Sequence, residues 1–224
     1  MREQLPIFPL NTVVFPGVRV PLHVFEDRYR ALVHHLLTIP DQSLRLFGIV
    51  AIREGYEVGQ HGVHSVHRVG CVVQMTSVEP YEDGRFDIEV LGRQRLRLDG
   101  LNTSGEFLVG DVEMLKERTA KGSDAAQEAA RTYAIFEEYR RRLSQMRGGD
   151  VLDGDLPRDP EFLSYSLAAT CLLTLSERQA LLEADTPLER LVMLRFALRE
   201  EMRAMRAIPS LPATEVARTS WSPN

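Results

Sequence analysis

The sequence is poor in the residues on which covalent and metal chemistry depend. It contains two cysteines and one tryptophan in 224 residues, and Lys116 and Lys121 are its only lysines. Cys71 and Cys171 lie far apart in apolar runs, which favours two buried free thiols over a disulfide framework or a zinc site. Both lysines fall in a polar stretch, so a catalytic serine has no buried lysine to activate it.

Long apolar segments are missing as well. No run approaches the roughly 20 residues that cross a bilayer, and the N-terminal sequence MREQLPIFPL lacks the basic and then apolar layout of a signal peptide. We therefore expect a cytoplasmic protein without a membrane partner. The net charge is −5 with both signs spread along the chain, whereas a nucleic-acid binder usually carries a basic stripe, so nucleic acid is not the expected partner.

Histidine is the residue type that comes nearest to a ligand pattern. His61, His64 and His67 are spaced three apart, but the glycine and valines between them disfavour a helix. In an extended chain His64 points away from the other two, and no cysteine or carboxylate stands at ligand spacing. The segment predicts a solvated loop. Since neither a P-loop nor a G-x-S-x-G elbow occurs, the sequence assigns no catalytic, cofactor-binding or metal-binding residue.

The first 40 residues combine proline-broken strands with one helix. Proline removes a backbone donor, and the four prolines of this stretch confine the segments LPIFPL and VRVPLHVF to edge or interrupted strands with a turn at FPG between them. They are Pro6, Pro9, Pro16 and Pro21. From Glu26 onwards, apolar residues recur with helical period as far as Pro40. The pattern predicts an early amphipathic helix.

Short strands dominate the next segment. Asp83 and Gly84 predict a hairpin with a type I′ turn, and Gly92 indicates a bulge or sharp corner between two alternating runs. These features predict a small closed or half-closed antiparallel β-barrel. The strand-like runs are residues 44–52, 69–81, 85–92, 93–101 and 107–115.

Helical patterns fill the rest of the chain. The dipeptide Asp159-Pro160 has the composition of a helix start, and the segments beginning at Ser176 and Thr186 have the spacing of capping boxes. The expected organisation is an α+β chain with a barrel in residues 1–115, a connector in 116–123, a bundle of about four helices in 124–208 and a flexible tail in 209–224.

Four segments together carry a family resemblance. The sequences LPIFPLNTVVFPGVRVPLHVFEDRYRALV, GIVAI, VGCVVQMTSVEPYEDGRFDIEVLGRQRLRL and LSERQALLEADTPLERLVML resemble the N-terminal substrate-binding domain of ATP-dependent Lon proteases. They are still more similar to the free-standing bacterial proteins built from that domain. The resemblance runs from about Leu5 to Met205.

The resemblance implies a PUA-like β-barrel followed by a helical bundle, in a protein that recognises unfolded or tagged polypeptides. The ATPase and peptidase of the longer proteases lie farther along their chains, so we expect this chain to end before any catalytic domain. The resemblance therefore implies a non-catalytic adaptor in protein quality control that works with a Lon-type protease in trans. A small-molecule or RNA-binding role of a PUA-like barrel stays open as the alternative.

Three residues are the candidate polypeptide contacts. A proline-blocked edge strand leaves apolar side chains near the surface, where they can accept extended segments of a client. Tyr81 and Phe86 flank the hairpin tip, and Met75 lies on the preceding strand. The competing interpretation of these three side chains is ordinary packing within the barrel.

Overall fold

The computed structural model describes residues 2–55, 63–118, 124–149, 152 and 155–207. The chain divides into two compact units, the first ending at Lys116 and the second beginning at Glu117. The elements of the first unit are β1 (Arg2–Leu10), β2 (Arg19–Val24), α1 (Asp27–Leu37), a 3₁₀ turn (Gln42–Leu44), β3 (Leu46–Gly55), β4 (Val63–Val66), β5 (Val69–Pro80), β6 (Phe86–Asn102) and β7 (Val109–Met114).

Strand β1 closes the sheet into a five-stranded barrel. Its first half, Arg2–Pro6, pairs antiparallel with β7, and its second half, Ile7–Leu10, pairs parallel with β3. The pairings of β7 with β6, β6 with β5 and β5 with β3 complete the wall, while β2 pairs with β6 and β4 with β3 outside it. The change of partner falls beside Pro6, as expected of an interrupted strand. Only β2 retains the predicted edge position.

The barrel wall separates two hydrophobic clusters. Adjacent residues of a strand point to opposite faces, so Ile7 and Phe8 belong to different clusters. The smaller cluster draws side chains from all five barrel strands and from no helix, and it therefore fills the barrel interior. The larger one packs α1 against the outer face through Tyr29, Leu32 and Leu36, which confirms the predicted helix and its apolar stripe.

The hairpin between β5 and β6 forms where it was predicted, with a different turn. Gly84 is at φ +83° and Asp83 is not among the residues with positive φ, whereas a type I′ turn needs both. The Gly84 amide donates to the Tyr81 carbonyl at 3.0 Å, and the Tyr81 amide donates to the Arg85 carbonyl at 2.9 Å. This is a type I turn closed by a glycine bulge, so the predicted turn type is wrong.

Gly92 marks a bulge inside one long strand. The runs 85–92 and 93–101 were predicted as separate strands, but they form the single strand β6. Its pairing with β5 skips Arg93, since Val73 faces Gly92 and Val72 faces Gln94. The Phe15 carbonyl oxygen lies 2.1 Å from where a Cβ on Gly92 would stand, so this close approach admits only glycine.

The described residues of the second unit form four helices. Asp159 caps the second of them by accepting hydrogen bonds from the amides of Glu161 and Phe162 at 3.0 and 3.2 Å, and Pro160 opens that helix as predicted. The helices are α2 (Asp124–Arg147), α3 (Pro160–Thr170), α4 (Leu175–Glu183) and α5 (Pro187–Ala207).

The two predicted capping boxes have different outcomes. At α4 the box exists but is formed by Thr174 and Glu177, so the box predicted to begin at Ser176 is wrong by two residues. At α5, the Thr186 hydroxyl accepts from the Glu189 amide at 3.1 Å as predicted. The Glu189 carboxylate accepts from the amide before Thr186, not from Thr186 itself.

The structure describes only the first three residues of the predicted connector, 116–118, and none of the predicted tail. Glu117, which falls in the predicted polar connector, has a side chain only 15% exposed and ion-pairs with Arg190 inside the helical unit. The connector residues 119–123 and the predicted flexible tail, 209–224, lie outside the described residues.

Candidate functional site

The structure separates the three predicted contact residues. Met75 and Phe86 are 1% and 4% exposed and belong to the hydrophobic cluster beneath α1. Both side chains pack inside this cluster, so their contact with a client requires the cluster to open and stays an untested prediction. Tyr81 is 41% exposed at the start of the hairpin loop, and its contact with a polypeptide stays a prediction.

Tyr81 is held in place by two strand residues. Its hydroxyl donates to Oδ2 of Asp87 at 2.5 Å, while Oδ1 of Asp87 lies 2.6 Å from Nδ1 of His23. His23 on β2 and Asp87 on β6 are register partners, and opposed side chains of an antiparallel pair share a face of the sheet. With Arg85 they form what we call the hairpin-tip cluster: His23, Tyr81, Arg85 and Asp87.

Arg85 completes the cluster and lies beside the second ring nitrogen of His23. Its guanidinium lies 5.5 Å from the Tyr81 ring centroid and 3.3 Å from Nε2 of His23. A guanidinium only donates hydrogen bonds, so Nε2 accepts and Nδ1 carries the proton that bonds Asp87. The imidazole thus lies between a guanidinium and a carboxylate.

The electrostatics of the cluster stabilise an ionised carboxylate beside a protonated phenol. Hydrogen bonds from Tyr81 and then from His23 hold the pKa of Asp87 below its usual range. The same bond to Asp87, together with the charge of that carboxylate, raises the pKa of Tyr81. Tyr81 is thus a weaker acid than an ordinary tyrosine. The geometry suits a contact surface.

Aromatic rings extend the cluster along the edge strand. The rings of Tyr81 and His23 meet edge to face with centroids 5.9 Å apart, and His23 stacks on Phe25 at 6.2 Å. Strand β2 pairs with β6 alone among the strands that the structure describes. Its other edge, interrupted by the exposed Pro21, lies next to this row of rings.

The cysteines are where the sequence predicted them. Cys71 and Cys171 are free and completely buried. Burial raises the pKa of each thiol to about 12. Because the thiolate is the reactive form, neither residue is a nucleophile at neutral pH.

The histidine segment differs from the prediction. Residues Val63–Val66 form β4, which pairs with β3, so the expected loop is wrong at this point, and His61 lies outside the described residues. Within the described ranges, no three histidine, cysteine or carboxylate side chains gather as a metal site. No helix in the same ranges is long and apolar enough to span a membrane.

Sequence reasoning missed His23, Arg85 and Asp87. Each is an ordinary polar position of an alternating strand or turn, and nothing in the spacing of the chain links His23 to Asp87. The only signal available was the hairpin turn, which places Arg85 and Asp87 near Tyr81. The register of β2 against β6 was needed to bring in His23.

Sequence comparison relates this chain to the substrate-binding domain of Lon proteases. A family model described as the ATP-dependent protease La (LON) substrate-binding domain matches residues 4–200. The Lon protease of Escherichia coli K12 is 27% identical over 203 residues, which is 90% of this chain and 25% of that protein. Lon protease 2 of Syntrophobacter fumaroxidans is 26% identical over 186 residues, which is 81% of this chain and 22% of that protein. The chain therefore spans about a quarter of the length of these relatives.

Solved structures agree on the fold. The Lon N-terminal domain protein of Xanthomonas campestris has a TM-score of 0.58 and 22% identity, over 86% of this chain and 96% of that one. The N-terminal domain of the Mycobacterium avium complex Lon protease has a TM-score of 0.68 and 18% identity, over 88% and 99%. The expected α+β architecture of barrel, early helix and helical bundle is confirmed.

Proposed function

The chain belongs to the family of LON substrate-binding domains, and from that membership we propose that it binds extended or unfolded polypeptide segments without changing them chemically. The observation that carries the proposal is the hairpin-tip cluster beside the edge strand β2. There an exposed Tyr81, fixed by Asp87, stands at the end of a strand edge that is paired on one side only among the described strands.

The strand edge supplies a means of binding that does not depend on client sequence. An extended peptide that adds to a sheet edge gains main-chain hydrogen bonds, while alternate side chains select among clients. Pro21 in the middle of β2 lacks a backbone donor. We therefore propose that a client pairs over a short stretch, which limits affinity and protects the edge from permanent pairing.

The row of rings supplies apolar contact at low entropic cost. Tyrosine offers a large contact area with few rotatable bonds, and the 2.5 Å hydrogen bond to Asp87 already restricts the Tyr81 side chain. When a client side chain packs against Tyr81 and Phe25, the Tyr81 side chain loses little further conformational freedom, so the entropic cost of binding is low.

The cellular role we propose is that of an adaptor in protein quality control. The curated relatives named above are Lon proteases, which supports unfolded or tagged polypeptides as clients and a Lon-type protease acting in trans. A bacterial, cytoplasmic setting accompanies this role. We further propose that the chain is not an enzyme. The PUA-like description of the barrel stays a prediction, as does the alternative role in RNA or small-molecule binding.

The test is binding of a permanently unfolded, fluorescently labelled model protein, measured by anisotropy. We expect measurable affinity for the unmodified chain and about fivefold to tenfold weaker binding for Tyr81→Ala, since truncating a central interface tyrosine typically costs more than about 1 kcal/mol. Tyr81→Phe keeps the ring and isolates the contribution of the hydroxyl.

Leu44→Ala is the matched control, because Leu44 is 59% exposed and lies outside the cluster. We expect it to bind like the unmodified chain. Absence of client binding in the unmodified protein contradicts the proposal, and an equal loss in both alanine variants contradicts the site. Titration with structured RNA at two salt concentrations tests the alternative, because true phosphate contacts weaken steeply with salt.

A further inference from the structure

A groove between α2 and α5 brings three arginines together. It has a volume of about 450 Å³ and is lined by Arg131, Ala134 and Ile135 from α2 and by Arg195 and Arg199 from α5. Small-ligand pockets in proteins typically enclose about 300 to 1,000 Å³. The groove is therefore large enough to hold two or three side chains of a partner.

The charges of the groove are unbalanced. The Glu128 carboxylate, with a side chain only 7% exposed, pairs with Arg195 and lies 3.7 Å from Arg131. Arg199 forms no ion pair with any residue that the structure describes. Among the described residues, one carboxylate thus pairs with two of the three guanidinium groups that line the groove, and the third has no ion pair. This local excess of positive charge stands against a net charge of −5 for the chain.

The arginines differ in how freely they can meet a ligand. The Arg195 side chain is 19% exposed and stays against Glu128, so it forms part of the groove wall. The Arg131 side chain is 60% exposed, and Arg199 is exposed as well. These two lie on opposite walls of the groove. They are the cations available to a partner.

Apolar surface borders the charged groups. Phe196 is 56% exposed, and the Arg195 guanidinium lies 4.9 Å from the centre of its ring. Ala134 and Ile135 contribute further apolar lining on α2. A ligand that carries only charged groups makes no contact with this apolar surface. A ligand that alternates acidic and apolar side chains uses both.

We infer that this groove binds acidic polypeptide segments in which carboxylates alternate with apolar residues. The inference rests on the proposed function and assigns one class of client to the helical unit. Arginine pairs with carboxylates through paired, charge-assisted hydrogen bonds, and Arg131 and Arg199 offer two such groups. An acidic client is repelled by the net negative chain except where positive charge is concentrated.

The same features favour a peptide over a polyphosphate or nucleic acid. Polyanion-binding proteins carry basic groups along an extended stripe, whereas this groove is lined by three arginines and has a phenylalanine, an isoleucine and an alanine beside them. Such polymers offer phosphates without aliphatic side chains to fill that surface. The acidic peptide is the occupant whose chemistry matches both parts of the groove.

The experiment uses the full chain and a synthetic peptide of about ten residues that alternates Asp and Glu with Leu and Phe. Its counterpart replaces every Asp and Glu with Asn and Gln. Calorimetric titration should show binding of the acidic peptide and about tenfold weaker binding of the neutral one. The double variant Arg131→Gln, Arg199→Gln should weaken the acidic peptide about tenfold and leave the neutral peptide unchanged.

The matched control is Arg141→Gln, Arg203→Gln. It removes the same charge from the same two helices at positions that are 65% and 71% exposed and do not line the groove. The control should bind the acidic peptide within about twofold of the unmodified chain, and raised salt should weaken that binding because screening reduces exposed ion pairs. Circular dichroism establishes that all variants are folded.

Three results overturn the inference. They are equal binding of the acidic and neutral peptides, equal weakening by both double variants, and groove-dependent binding of inorganic polyphosphate without binding of the acidic peptide. The proposed function fails separately, by absence of binding to the unfolded model protein. A chain that binds that protein through Tyr81 but shows no preference for acidic peptides retains the function and loses only the inference.

Discussion

Arg190 on α5 and Glu117, the first residue of the helical unit, form a buried ion pair in which Nη2 donates to Oε1 at 2.5 Å. The Arg190 side chain is completely buried, and that of Glu117 is 15% exposed. Tyr165 donates to the other carboxylate oxygen at 2.6 Å, and its ring lies 4.0 Å from the guanidinium. Through Glu117, the segment before α2 contacts Tyr165 on α3 and Arg190 on α5.

Replacing Glu117 should destabilise the helical unit. Glu117→Ala leaves the buried guanidinium without its anion, and breaking a buried pair on one side typically costs about 3 to 5 kcal/mol. Urea unfolding followed by far-ultraviolet circular dichroism should show a lower midpoint. The control is Arg118→Ala, whose partner Asp185 forms an exposed pair, with an expected cost below about 1 kcal/mol. Similar losses in both variants contradict the role given to Arg190.

Asp87 should control the ionisation of Tyr81. Asp87→Asn removes the charged acceptor that raises the pKa of Tyr81, so the phenol should titrate at lower pH than in the unmodified chain. The measurement is the pH dependence of the Tyr81 ring carbon signals by NMR. Asp41→Asn is the control, because Asp41 accepts its hydrogen bonds from Ser43 and should leave Tyr81 unchanged.

The stability contributed by Asp87 should disappear in acid. Its pKa in the folded chain is lowered by Tyr81 and His23, so the carboxylate contributes stability above its unfolded pKa of about 4. That contribution is lost as the pH falls through the lowered folded value. The difference in unfolding free energy between the unmodified chain and Asp87→Asn should therefore be constant near neutrality and shrink in acid. A difference that persists at low pH argues against an ionised partner.

Adding one methyl group at Gly92 should damage the barrel. A Cβ there would stand 2.1 Å from the Phe15 carbonyl oxygen, and the backbone on one side has to shift. Gly92→Ala should cost about 1 to 3 kcal/mol, the usual range for overpacking, seen as a lower thermal midpoint. Gly105→Ala, with its nearest neighbour at 3.4 Å, should be close to neutral. A stable Gly92→Ala variant means that the bulge does not require this close approach.

Both thiols should resist modification in the folded chain. Cys71 and Cys171 are buried and have pKa values raised to about 12, so a thiol reagent at neutral pH should label neither residue. Labelling in denaturant should yield two groups per chain, which serves as the control. Fast labelling of either thiol under native conditions contradicts its burial.

Local features were predictable because short-range chemistry determines them. The helical spacing of apolar residues predicted α1, the dipeptide Asp159-Pro160 predicted the start of α3, and Gly84 predicted a hairpin. The errors are also local. The turn at Asp83 needed only one positive φ, and Thr174 displaced Ser176 as the cap of α4, since capping depends on which backbone first becomes helical.

What the sequence by itself determined about this protein is the order and kind of its elements and its family resemblance, because both lie in residues close together along the chain. Only the tertiary structure decided that His23 faces Asp87, that Phe86 is buried while Tyr81 is exposed, and that Glu117 meets Arg190. Strand register and helix packing make those choices, and they join residues that no local pattern connects.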